Sequence, residues 1–164
     1  MRLELSNADL DALPYRPCVG LVILDRAGRI FAGQRIDGSY NAWQMPQGGI
    51  DAGETPREAG LRELEEETGI TPDKVEIIRE SRDWLPYNLP RHLVPKLWKG
   101  RFRGQKQRWL AIRFLGTDRD VNIATDEPEF RTWAWMAHEE LAQRIVAFKR
   151  DTYARVFEEF GDLL

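Results

Sequence analysis

The sequence predicts an α/β fold, a mixed β-sheet covered by helices on both faces, and three observations carry that expectation. Short apolar or alternating runs of strand character recur along the chain. Amphipathic segments with helical spacing are intermixed with them rather than gathered in one block. No internal repeat, low-complexity tract or long Pro/Gly/Ser linker interrupts the 164 residues, a length that suits a single domain over 1–164 with its own core.

Taken in order, CVGLVIL (18–24) is a continuous apolar run and reads as a buried strand, and after the turn DRAG the run GRIFAGQR reads as its hairpin partner. The next stretch, IDGSYNAWQMPQGG, is rich in turn residues. TPREAGLRELEEET is the first clear helix: Thr55 can N-cap it, Pro56 suits the first helical position, Glu58 completes a capping box and Gly69 can close it in the left-handed conformation. Leu61, Leu64 and Thr68 give that helix a core-facing stripe. Gly60, inside it, costs roughly 1 kcal/mol relative to alanine, which implies that something approaches closely there. KVEIIRES alternates and reads as a strand. QRWLAIRFLG is an apolar strand that follows a basic loop, and FRTWAWM is another strand. HEELAQRIV and FKRDTYARVFEEFGDLL read as helices, the last with an apolar face of Tyr153, Val156, Phe157 and Phe160.

Composition excludes several function classes. Hydrophobic residues make up 42% and charged residues 31%, which argues against disorder. No apolar run approaches the roughly 18 residues that a membrane span needs. The opening MRLELSNADLDALPYRP carries acids and lacks an apolar leader core, so no secretion is expected. Cys18 is the only cysteine, which rules out an intramolecular disulfide or thiolate zinc cluster and fits a reducing cytoplasm; within its apolar run it reads as a small core residue. The net charge is only −3, yet residues 91–108 hold seven Lys or Arg and no acid, while acids gather in the opening stretch and near 117–129. That separation fits an anionic ligand meeting one face.

The helix 56–68 holds the sharpest chemical signal. Glu63, Glu66 and Glu67 stand at i, i+3 and i+4 and share a face, while Glu65 points elsewhere and reads as solvated. Like charges at this spacing cost a few tenths of a kcal/mol per pair, and the helix dipole disfavours acids near this end. Arg62, four residues before Glu66, offsets part of that charge. Convergent carboxylates are hard oxygen ligands suited to Mg²⁺, which keeps waters and recruits phosphates.

At this point a family resemblance becomes specific. The stretch GGIDAGETPREAGLRELEEETGI resembles the Nudix box, G-x5-E-x7-R-E-U-x-E-E-x-G-U with U aliphatic. Gly48, Glu54, Arg62, Glu63, Leu64, Glu66, Glu67, Gly69 and Ile70 fill every defined position. The resemblance implies a Nudix αβα sandwich with a loop–helix–loop metal site, and hydrolysis of a nucleoside diphosphate linked to another moiety with Mg²⁺ or sometimes Mn²⁺. It implies that Glu63, Glu66 and Glu67 are metal ligands, that Arg62 orients them, that Glu54 braces the loop and that a carbonyl at Gly48 or Gly49 also coordinates.

The likeness extends beyond the box. YRPCVGLVI, WQMPQGGI, GQKQRWLAIRF, EPEFRTWAW and VAFKRDTY resemble the RNA pyrophosphohydrolase and dinucleoside polyphosphate (Ap4A) hydrolase group of that family. By this resemblance Glu129 is a further metal ligand or general base, although by its own surroundings, beside Asp126 and Glu127, it reads as part of a charged loop. Arg35 matches an arginine that contacts the 5′ nucleotide, Phe148 a phenylalanine that stacks on a base, Lys149 a phosphate contact and Val146 a residue lining the same pocket. Packing in the helix core is the competing reading for Phe148. Arg16, Lys106 and Arg108 are candidate phosphate contacts, Arg being favoured where bidentate contact matters, and Gln105 and Gln107 could add polar contacts. The loop before Trp43 is longer than in the enterobacterial members, so a small polar substrate contact there could be Ser39 or Ala42. His92 and His138 lie outside every motif.

The expected partner is therefore 5′-triphosphorylated RNA, yielding pyrophosphate and 5′-monophosphorylated RNA, or a dinucleoside polyphosphate, Ap4A yielding ATP and AMP. The proton acceptor is open among Glu63, Glu67 and Glu129. From another class, an inactive nucleotide- or RNA-binding module is the alternative, against which the full set of glutamates speaks. No membrane partner is expected, and oligomeric state is not legible.

Overall fold

A computed structural model of the chain describes residues 6–36 and 42–164. In chain order its elements are α1 (Asn7–Asp11), β1 (Tyr15–Leu24), β2 (Ile30–Arg35), β3 (Trp43–Gln44), β4 (Gln47–Gly49), α2 (Pro56–Thr68), β5 (Val75–Glu80), β6 (Leu85–Asn88), β7 (Gly104–Phe114), β8 (Phe130–Met136), α3 (His138–Arg144) and α4 (Arg150–Glu159).

The strands join in one mixed sheet. Its centre is the parallel pair β1 and β7, in unbroken register from Tyr15 opposite Gly104 to Leu24 opposite Arg113. All other pairings are antiparallel: β5 and β6 on β7, β3 and β8 on β2, and β4 and β2 on β1. The antiparallel partner of β1 changes along its length. Residues 18–20 pair with β4, whereas Leu24 pairs with β2, so the sheet forks between them.

Side chains of the central pair alternate between two cores, as the pleat requires. Val19, Leu21, Ile23, Leu110 and Ile112 pack with Ala59, Leu64 and Ile70 under α2. Val22, Leu24, Trp109 and Ala111 pack with Leu141, Tyr153, Val156 and Phe160 under α3 and α4. A central strand buried on both faces loses the polar–apolar alternation of a surface strand, which is why β1 reads as a continuous apolar run. The expected mixed sheet with helices on both faces is what the structure shows.

α2 has the ends its sequence predicts. The Thr55 hydroxyl accepts from the Glu58 N–H, the Glu58 carboxylate accepts from the Thr55 N–H, and Gly69 closes the helix at φ +71°. Gly60 faces Leu110, whose Cδ1 would lie 2.5 Å from an added Cβ. Overpacking there costs about 1–3 kcal/mol, more than the roughly 1 kcal/mol that alanine gains in helix propensity, so packing decides. The buried face comprises Ala59, Gly60, Leu64, Glu67 and Thr68, with Leu61 only partly covered; it is rotated toward Glu67 relative to the stripe expected.

Elsewhere the boundaries shift. β1 begins at Tyr15 because Arg16 and Pro17 still pair with β7, and β7 begins at Gly104, three residues before the expected strand QRWLAIRFLG, so Lys106 joins Arg108 on it. The turn-rich stretch contains β3 and β4; α1, β3, β4 and β6 are too short to leave a periodic signal. The last helix begins at Arg150, after a separate turn over Ala147–Lys149. Ser39 lies outside the described residues; Ala42, half-buried, sits at the entry to β3.

Tyr153 joins the layers through one buried bond, its hydroxyl accepting from the Met45 N–H at 2.8 Å. Tyr153→Phe is expected to destabilise the protein by about 1–3 kcal/mol in urea unfolding, the cost of an unsatisfied buried donor. A loss under about 0.5 kcal/mol would show that the bond carries no net stability.

Candidate active site

The loop before α2 is shaped by Arg62. Its Nε and Nη2 donate to the two oxygens of Glu54 at 2.9 and 2.8 Å, a bidentate fork. Nη2 also donates to the Gly49 carbonyl at 2.9 Å, and Nη1 bridges Glu63 at 2.9 Å and Glu66 at 3.2 Å. Glu54 accepts in addition from the Asp51 N–H at 2.8 Å. The Arg62 bonds first, then the Asp51 N–H, hold the Glu54 carboxyl down to about 2, against an ordinary 4.5.

Glu63, Glu66, Glu67 and Glu129 line one cleft of about 770 Å³, together with Arg62, Thr125, Asp126 and Glu127. Their exposures differ widely. Glu67 is buried, Glu63 nearly so at 12%, while Glu66 and Glu129 are 57% and 44% exposed. Burial pushes the Glu67 carboxyl well up, and the charges of Glu63 and Glu129 add to it; the Gln47 N–H, at 3.2 Å, and Arg35 act against them. Burial likewise raises Glu63, with Glu66 and Glu129 adding to the rise and the Arg62 bond opposing it. Gly48 makes room for this group: a Cβ there would fall 2.1 Å from Glu63 Cδ.

The donor set fits a hard divalent cation. It consists of carboxylate oxygens, two of them on buried groups whose mutual repulsion a cation would relieve. Thr125 Oγ1, on the same cleft, is a buried oxygen without a hydrogen-bond partner. Among the described residues no three His, Cys, Asp or Glu groups are drawn together as a coordination set. Arg62 Nη1 occupies one oxygen each of Glu63 and Glu66, and each keeps its second oxygen outside that bridge.

A second group of residues stands on the α4 side of the sheet. Register places Arg16 beside Gln105, and Gln105 beside Tyr87, across β1, β7 and β6. Phe148 is half-buried, its ring centroid 5.7 Å from Tyr87, and Lys149 Nζ lies 5.6 Å from the Tyr87 ring and 6.0 Å from that of Phe148. Gln107 donates to Gln105 at 2.8 Å and to Gln47 at 3.1 Å and accepts from the Trp109 indole at 3.0 Å. Since the Gln47 N–H bonds Glu67, this amide chain reaches the carboxylate cleft. Cys18 is buried here with its thiol pushed up to about 11, chiefly by desolvation, and stays protonated.

The structure thus brings Glu63, Glu66, Glu67 and Glu129 together, with Gly48 against Glu63 and Arg35 at 3.7 Å from Glu129. It brings Arg16, Phe148 and Lys149 to the other side of β4. Val146 is turned toward the α3–α4 core instead. Lys106 and Arg108 point to the opposite face from Gln105 and Gln107, where both lie over Trp84 and Arg108 also pairs with Glu80 at 3.2 Å. His92 is exposed, and His138 packs on Phe157. Sequence reasoning misses Tyr87 and Gln47. The only signal for Tyr87 is an aromatic in a short polar segment, and Gln47 meets Glu67 through its backbone N–H, which leaves no mark in the sequence.

The NUDIX domain family matches residues 14–156. The chain is 55% identical to the RNA pyrophosphohydrolase of Roseobacter denitrificans over 95% of its own length and 98% of that protein's. It is 54% identical to the RNA pyrophosphohydrolase of Dinoroseobacter shibae over 98% and 100%. Among solved structures it resembles an E. coli dihydroneopterin triphosphate pyrophosphohydrolase, with a TM-score of 0.67 at 19% identity over 87% of this chain and 96% of that one. It also resembles a C. elegans Ap4A hydrolase, with a TM-score of 0.65 at 23% identity over 91% and 99%. At those identities the two structures speak for the fold alone.

Glu54, depressed in the fold, contributes stability that is complete above about pH 4.5 and is lost as the pH falls toward about 2. The difference in urea midpoint between the wild type and Glu54→Gln is expected to narrow across that window. A difference independent of pH would mean that the Arg62 fork does not depend on the Glu54 charge.

Proposed function

The chain belongs to the NUDIX domain family, and from that premise we propose that it is a metal-dependent RNA pyrophosphohydrolase. It removes pyrophosphate from the 5′-triphosphate end of RNA and leaves a 5′-monophosphate, the form that promotes decay. The observation that carries the chemistry is the convergence of Glu63, Glu66, Glu67 and Glu129 on one cleft. The choice of RNA rests on identity of 54–55% to RNA pyrophosphohydrolases along nearly the whole chain.

In this reading Glu63, Glu66, Glu67 and Glu129 hold the cation, with the Gly48 carbonyl as a further donor. We take the cation to be Mg²⁺, with Mn²⁺ able to replace it. When bound, such an ion neutralises phosphate charge and lowers the pKa of a coordinated water. Arg62 fixes Glu63 and Glu66 through one nitrogen and so limits the rearrangement that binding requires. The proton of the attacking water goes to one of Glu63, Glu67 and Glu129, all of which line the cleft. Arg16 and Lys149 receive phosphate oxygens, and Arg35, beside Glu129, contacts the 5′ nucleotide. The first base stacks on Phe148, which Tyr87 backs; stacking is worth about 1–3 kcal/mol per base, enough to hold one nucleotide. Lys106 and Arg108, on the other face, lie outside this contact set. The chemistry is that of a soluble ligand, and the cytoplasm is the compartment it fits; among the described residues no helix is long and apolar enough to cross a membrane.

Glu67→Gln keeps the shape of the side chain and removes a buried charge, so folding is expected to be unimpaired while kcat falls about a hundredfold or more. Pyrophosphate release at near wild-type rates would remove Glu67 from the reaction. The decisive comparison sets a 5′-triphosphorylated oligoribonucleotide against Ap4A with one enzyme preparation. A kcat/KM at least about tenfold higher for the RNA is expected, a transition-state preference of about 1.4 kcal/mol. The reverse order would make this a dinucleoside polyphosphate hydrolase, and turnover of neither would leave a binding module.

A further inference from the structure

Three successive residues of the basic segment have left-handed backbone: φ is +46° at Trp98, +58° at Lys99 and +71° at Gly100. Among the described residues Trp98 and Lys99 are the only non-glycines with positive φ. In that region the Cβ of an L-residue crowds the backbone, and a bulky aromatic is a true outlier. Such a conformation persists only where surrounding contacts over-determine it. The turn is closed by backbone bonds from the Gly100 N–H to the Leu97 carbonyl at 2.9 Å and from the Arg101 N–H to the Trp98 carbonyl at 3.2 Å, and its side-chain anchor is the Trp98 ring. It packs on the small core of Leu10, Tyr87, Leu89 and Val94, meets Phe102 edge-on at 6.1 Å, and lies 5.4 Å from the guanidinium carbon of Arg16.

Arg16 is unusual for its partners. Arg62 and Arg108 are each committed to carboxylates. Half-buried Arg16 has the Trp98 face and a weak bond from Nη1 to Cys18 Sγ at 3.7 Å, and among the described residues no carboxylate pairs with it. Its other side is set by Gly49, where an added Cβ would fall 2.5 Å from Nη2. The preceding residue, Gly48, stands against the Glu63 carboxyl. Adjacent residues of β4 therefore carry an uncompensated cation on one and a carboxylate of the reaction cleft on the other. An acidic partner would neutralise the cation, whereas a neutral π face holds it and leaves its charge available.

We propose that Trp98 is a positioning residue for polyphosphate recognition: held inward by the left-handed turn, its ring fixes Arg16 against Gly49 to receive a phosphate oxygen of the substrate. The proposal rests on the phosphohydrolase reading above, and its ligand is the anionic polyphosphate chain itself.

The test compares Trp98→Leu, which keeps apolar packing but lacks a π face, with Trp98→Phe, which keeps the face. Calorimetric Kd for inorganic tripolyphosphate is measured beside kcat and KM on a 5′-triphosphorylated oligoribonucleotide. Trp98→Leu is expected to raise Kd and KM about fivefold with kcat within about twofold, and Trp98→Phe to restore most of the loss. In the double variant with Arg16→Gln, Trp98→Leu should add nothing beyond Arg16→Gln alone. Equal Kd values for the Leu and Phe variants, additive losses in the double variant, or a lowered melting temperature with unchanged Kd would each overturn it. If the RNA is not turned over at all, the substrate reading fails by itself, and the tripolyphosphate measurement still decides the role of Trp98.

Discussion

The guanidinium of Arg62 is the point on which the site depends. A planar group with a rigid fork of donors can face Glu54 with one edge and still offer a nitrogen to Glu63 and Glu66 and another to the Gly49 carbonyl. Loop, helix and strand β4 are thereby referred to one rigid body. Lysine, a point charge on a flexible stem, has no geometry with which to do this. The helix tolerates acids near its negative end because this cation neutralises part of them, and because the most buried of them, Glu67, is met by a backbone N–H from β4.

The forked sheet explains why two chemistries meet at β4. Where β1 exchanges β4 for β2, the ladder opens. The carboxylates of α2 and the start of β8 gather on one side of the opening. The aromatic and cationic residues carried by β1, β6 and the turn before α4 gather on the other. Only a strand without side chains could lie between them, and β4 ends in two glycines. The separation also keeps opposite charges from annihilating one another: Arg16 is turned away from Glu63 by the thickness of that strand.

What the sequence made legible was local. The box helix, its caps and its glutamates stand within one stretch, so spacing alone orders them. Glu129 is far from that stretch and could be nominated only by resemblance, because its approach depends on β8 pairing with β2 and on the Ile36 N–H bonding the Glu129 carbonyl. Tyr87 and Trp98 were illegible for the same reason; each acquires meaning from a strand or turn supplied by another part of the chain. Lys106 and Arg108 are a different case. The alternation Gln105, Lys106, Gln107, Arg108 contains the information that cations and amides face opposite ways, and it was obscured because the strand was started at Gln107, which cuts the alternation in two. The helix stripe was legible at Leu64 and Thr68 but not at Glu67, because a charged residue is not expected on a buried face.

The parallel ladder of β1 and β7 has a consequence for biosynthesis. Residues 15–24 cannot find their central partner until residues 104–113 exist, and β8, which brings in Glu129, comes later still. Parallel pairing of this kind rewards the chain only after a long loop has closed. The box helix can form early on the ribosome, but it has no sheet to lie on and no fourth carboxylate beside it. A nascent or truncated chain therefore lacks both the central strand pair and the Glu129 side of the cleft.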